Sequence, residues 1–148
     1  MLILNTSTRS LQALLSGAVT TNQLVCVVSY TNWTQSQVES KNTTQLLTNN
    51  TTAVTLLASP VAGGRRLLQS LSIYNADTVN ATVTVRLNDN GTFRNIVGLI
   101  LLTTETLHYI AGTGWYSTDS SGNIKSSVAS LDSLSDVILT SPATGATL

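Results

Sequence analysis

The chain predicts an all-β fold: an antiparallel β-sandwich, jelly-roll-like, with extended N- and C-terminal arms. Three observations predict it. Apolar and polar residues alternate with the period of two that marks a half-buried strand, most cleanly in Ala81-Thr-Val-Thr-Val-Arg-Leu87. The alternating runs are short and closed by Gly, Asn, Asp or Pro clusters. No segment before residue 126 repeats apolar residues at helical spacing.

The elements follow in order. Leu2 to Asn5, Leu11 to Leu15 and Val25 to Trp33 are apolar enough for strands. Thr34 to Asn50 is rich in Gln, Ser, Thr and Asn and reads as a long surface loop. Ala53 to Ala58 is a further strand, and Pro60-Val-Ala-Gly-Gly64 breaks the chain after it. Leu67 to Tyr74 alternates with Leu71 and Ile73 on one face, and Asn75 to Thr78 is a loop. In Ala81 to Leu87, Val83, Val85 and Leu87 share a face. Asn88-Asp-Asn-Gly91 is a hairpin turn signal, because Asn and Gly accept positive φ, and Thr92 to Leu102 returns as the second strand. Glu105 to Ile110 and Gly114 to Thr118 are short strands divided by Ala111-Gly-Thr-Gly114, and Asp119 to Asn123 is a turn. This gives about nine strands, the spacing of a sandwich or barrel, in a β domain over residues 1–125 that includes the N-terminal strand arm. Residues 126–148 are mostly Ser, Thr and small side chains, with at most one helical turn near Val128 to Val137, and read as an extended C-terminal arm.

Composition narrows the function. Seven basic residues balance seven acidic ones, and only 9% of the chain is charged, against ~25% in an average globular protein. Thr, Ser and Asn make up 54 of the 148 residues, so surface polarity comes from hydroxyls and amides. Without a basic excess, nucleic acid is not an expected partner. A neutral surface of this kind favours association, which is a first sign that neighbours cover it. No apolar run approaches ~18 residues and no secretory leader pattern opens the chain, so neither a membrane nor a targeting segment is expected. The Asn-x-Ser/Thr triplets are as frequent as this composition produces by chance.

Candidates for chemistry are few. His108, the only histidine, alternates with Leu107 and Tyr109 and reads as an exposed or interface residue. Cys26, the only cysteine, lies in Leu24-Val-Cys-Val-Val28 and reads as a small buried hydrophobe. The acids Glu39, Asp77, Asp89, Glu105, Asp119, Asp132 and Asp136 form no metal-binding or glycosidase spacing. No catalytic residue, cofactor or metal is expected, and the chain is not read as an enzyme. Trp115 reads as a core residue at a sheet end, whereas Trp33, beside a polar stretch, fits either core or interface. Arg65-Arg66 fits a carboxylate of a neighbour or a solvated strand start equally well.

Several stretches together resemble a known group. They are Leu71-Ser-Ile-Tyr-Asn75, Thr82-Val-Thr-Val-Arg86, Glu105-Thr-Leu-His-Tyr109, Gly112-Thr-Gly-Trp115 and Asp119-Ser-Ser-Gly122, with the opening Leu2 to Gln12 and Gly17 to Gln23. In this order they resemble small β-sandwich virion proteins of tailed bacteriophages. Separately, Leu131-Asp-Ser-Leu-Ser-Asp-Val-Ile-Leu-Thr-Ser-Pro142 is similar to a segment common in phage tail and fibre proteins. The resemblance implies a virion structural protein. One reading is a head decoration or cement protein, a homotrimer that binds the major capsid protein and cross-links capsid subunits by its arms. A second is a tail or fibre component, such as an adaptor or a fibre base. A third, from the sandwich fold rather than the resemblance, is an enzyme or carbohydrate-binding module with Trp33 or Trp115 stacked on a sugar ring, though no paired acids or calcium loop support it. The residues expected at the interface are Leu2, Ile3, Leu4, Trp33, Arg65, Arg66, Leu131, Leu134, Val137 and Pro142.

Overall fold

The computed structural model describes residues 1–36 and 40–125. Two antiparallel sheets pack face to face as a β-sandwich, and no helix occurs among the described residues. The strands are β1 (Leu2–Leu4), β2 (Arg9–Leu15), β3 (Val25–Trp33), β4 (Ser40–Leu47), β5 (Val54–Leu57), β6 (Arg65–Tyr74), β7 (Ala81–Asp89), β8 (Thr92–Leu101), β9 (Thr106–Ile110) and β10 (Gly114–Thr118). One sheet runs β10-β9-β6-β3-β4, with β1 paired to the free part of β6, and the other runs β5-β2-β7-β8. The chain therefore passes repeatedly between layers, which places both sets of inward-facing apolar residues in one core.

The alternation read from the sequence is the alternation of burial. Val83 and Val85 of β7, Leu11, Ala13 and Leu15 of β2, and Cys26 and Val28 of β3 are buried, while their neighbours in sequence are only partly covered. Each fully buried Leu or Val stabilises the fold by ~1.5–3 kcal/mol relative to exposure. In β6 the core residues Leu68 and Leu71 are three apart, which strict alternation forbids. A bulge reconciles them: Ser29 pairs with Ser70 and Tyr30 with Leu68, so Gln69 is the extra residue.

The Asn90-Gly91 hairpin forms as its residues dictate. Both have positive φ, 50° and 89°, as a two-residue type I′ turn requires, and Asn88 Oδ1 accepts the Gly91 N–H at 2.8 Å.

Two expectations change. The stretch expected as a loop from Thr34 to Asn50 contains β4, paired with β3 from Val25↔Leu47 to Asn32↔Ser40. Its polarity reflects an edge position with most side chains in water, and Thr tolerates a pleated surface well. The N-terminal strand lies in the sheet of its own chain, paired Leu2↔Leu68, Ile3↔Leu67 and Leu4↔Arg66. The expected C-terminal arm, with Leu131, Leu134, Val137 and Pro142, lies outside the described residues.

Candidate functional site

The six described residues expected at an interface converge on one end of the larger sheet. Trp33 is the register partner of Arg65 and Asn32 of Arg66, and β1 joins the same stretch of β6. The Arg65 guanidinium lies 5.7 Å from the Trp33 ring centre and that of Arg66 5.4 Å from Tyr30. Their outward prospects differ. Leu4 is fully buried and Leu2 packs on the core, so of the three β1 residues only Ile3 is exposed. Arg66 donates to the Ala58 carbonyl at 3.0 Å, which fixes it within its own chain. The surface left to a partner here is Ile3, Trp33 and Arg65 beside a small cleft bounded by Pro60 and Val61.

The longest apolar edge lies elsewhere. β8 is the outer strand of the smaller sheet, ten residues long, and reads Thr-Phe-Arg-Asn-Ile-Val-Gly-Leu-Ile-Leu. Phe93 is 51% exposed, Ile100 58%, and Leu102 just beyond the strand 45%. Arg86 covers one face of Phe93 at 3.9 Å. A long apolar edge with a single charge offers unpaired main-chain groups to another strand. β8 is legible as a strand in the sequence, whereas its position at an edge depends on the order of the sheet.

A second group missed in the sequence ties the loops at the opposite end. Asn75 is fully buried and its side-chain amide donates to the carbonyls of Val79, Leu101 and Leu102, at 3.0, 3.0 and 3.1 Å. Its carbonyl oxygen accepts the Asp77 N–H, an Asx turn. The Asp77 carboxylate accepts backbone N–H groups of Thr20, Thr21 and Asn22 at 2.7, 2.7 and 3.1 Å. Burial by itself would raise its pKa, but these bonds with one from Thr78 hold it at about 2. Glu105, also buried, accepts Lys125 at 2.9 Å and the Leu102 N–H at 2.8 Å. Burial opposes its ionisation, yet these partners keep its pKa below the usual value. The spacing Asn75-x-Asp77 was the available signal, and it marks a turn rather than a reactive pair.

The remaining candidates are placed as follows. Cys26 is buried, and burial pushes its thiol up to about 12, which leaves it inert near neutrality. His108 is half-buried, stacked on Tyr116 with ring centres 4.9 Å apart, and its Nε2 lies 3.0 Å from Thr118 Oγ1. Trp115 packs inward on Tyr109 at the margin of the core. Among the described residues no three His, Cys, Asp or Glu side chains gather as a metal site, and no helix is long and apolar enough to cross a membrane.

No family model, curated protein or solved structure matches this chain.

Proposed function

We propose that this chain is a structural protein of a bacteriophage virion, a decoration or cement protein that binds the major capsid protein on the head and cross-links capsid subunits. The observation that carries the reading is the β8 edge, a ten-residue apolar strand without a neighbour among the described residues, on a chain of zero net charge. Such an edge is an aggregation hazard unless a partner covers it. The resemblance of the β6–β7 and β9–β10 stretches to tailed-phage sandwich proteins supplies the kind of assembly.

The mechanism is mechanical. A strand of a neighbouring virion subunit adds to β8 through main-chain hydrogen bonds, which need no charge. The patch of Ile3, Trp33 and Arg65 at the far end of the other sheet gives a second contact. Two separated contacts on one rigid sandwich, repeated by the symmetry of a homotrimer, join capsid subunits with avidity well above that of either contact.

The test is the number of copies in purified particles. Hundreds of copies, scaling with the major capsid protein, are expected. A handful, in multiples of three or six, would move the protein to the tail or a fibre base. Absence from particles would overturn the virion reading. On the same particles, Ile100→Lys should reduce incorporation at least ~10-fold, a loss of about 1.4 kcal/mol in binding. Incorporation of that variant at the normal level would show that β8 is not the contact.

A further inference from the structure

A trough crosses the outer face of β6, β9 and β10. Antiparallel register aligns the side chains in rows. One row runs Tyr74, Thr106, Thr118, Ile124, through Tyr74↔Thr106, Thr106↔Thr118 and the bridge Thr118↔Ile124. Large side chains stand at both ends of this row and two threonines form its floor. Three inter-strand steps make it about 14 Å wide. The adjacent row contributes the stacked His108 and Tyr116, and the Asp119 turn closes the other side.

We propose that this trough binds a neutral saccharide. A pyranose ring has a flat C–H face and a rim of hydroxyls, and the trough offers a counterpart to each. Tyr74 and Tyr116 present aromatic surface at its margin, amphipathic and costly in little side-chain entropy when ordered. Thr106 and Thr118 bring hydroxyls to the trough, and the Asp119 carboxylate, held by the Ser121 and Asn123 N–H groups, adds acceptor oxygens at its side. The lining contains no Lys or Arg, and burial lowers the His108 pKa, so the imidazole is neutral near pH 7. Phosphate or sulfate esters therefore find no counter-charge. The trough is also open and shallow, which suits a segment of a glycan chain rather than an engulfed small molecule. Individual affinity is then weak, with Kd on the order of millimolar, and many copies on one particle would raise it by avidity.

His108 is the only histidine, so its imidazole proton resonances are a single reporter inside the trough. The full chain is titrated with maltohexaose, cellohexaose, xylohexaose, mannohexaose and chitohexaose, with a heparin hexasaccharide as the anionic control. At least one neutral probe is expected to shift the His108 signals saturably. Tyr74→Ser and Ile124→Ser, both at exposed positions, should each weaken that probe at least 10-fold while melting like the parent protein. No saturable shift with any of the five, tighter binding of heparin, or equal affinity in both variants would overturn the proposal.

Discussion

Two of the outer strands, β4 and β8, solve the same problem in opposite ways. β4 reads Ser-Lys-Asn-Thr-Thr-Gln-Leu-Leu and shows water mainly hydroxyls, an amide and one ammonium, with Leu47 exposed at its end. β8 reads Thr-Phe-Arg-Asn-Ile-Val-Gly-Leu-Ile-Leu and shows water Phe93 and Ile100 beside Thr92, Arg94 and Asn95 at its start. Desolvating β4 would strip hydration from most of its side chains, so it resists a further strand. Desolvating β8 removes apolar surface from water and is favourable at ~25 cal/mol per Å². The difference teaches that addition of a further strand is favoured at β8 over β4. The contrast predicts that Gln45→Lys on β4 leaves incorporation unchanged, against the loss expected for Ile100→Lys.

The strand ends differ as well, and two substitutions break that comparison in order of effect. β8 is held at its C-terminal end by Asn75, whose amide serves three carbonyls and whose oxygen accepts a fourth bond. Asn75→Ala strands those groups in the interior and should destabilise the fold by about 3 kcal/mol in urea unfolding. A loss under about 1 kcal/mol would mean that β8 does not depend on this junction. β4 ends at Thr48, whose hydroxyl donates to Gln23 Oε1 at 2.8 Å and accepts the Leu24 N–H at 2.9 Å. Thr48→Val keeps the shape and should cost about 1–2 kcal/mol, less than the β8 anchor. Equal losses in the two variants would erase the asymmetry.

Asp77 sharpens the comparison through pH. Its folded pKa of about 2 lies below the unfolded value, ~3.9. The stability it supplies is therefore complete above the unfolded pKa and is lost as pH falls from about 4 toward 2. Asp77→Asn should lower Tm at neutral pH, and its gap from the parent protein should close over that interval. A gap unchanged down to pH 2 would remove Asp77 from the acid response.

Most of the strands were legible because period-two alternation is a local consequence of a half-buried sheet. The Asn90-Gly91 turn was legible because positive φ restricts residue type. β4 was not, since an edge strand wetted on most of its length carries no alternation to read. The junction of Asn75 and Asp77 was not, since its partners Thr20, Thr21, Asn22 and Leu101 are distant in sequence. The sequence left Trp33 open between core and interface, and its pairing with Arg65 follows from the β3–β6 register.

By itself the sequence determined an all-β chain with a neutral, hydroxyl-rich surface, because strand period, turn chemistry and charge are local or additive properties. Tertiary structure alone decided which strands are edges, that Leu4 is buried while Ile3 is exposed, and that Tyr74, His108 and Tyr116 border one trough. Those properties depend on which strands become neighbours. Sheet order and register are settled by packing between residues far apart in the chain, and no local pattern encodes them.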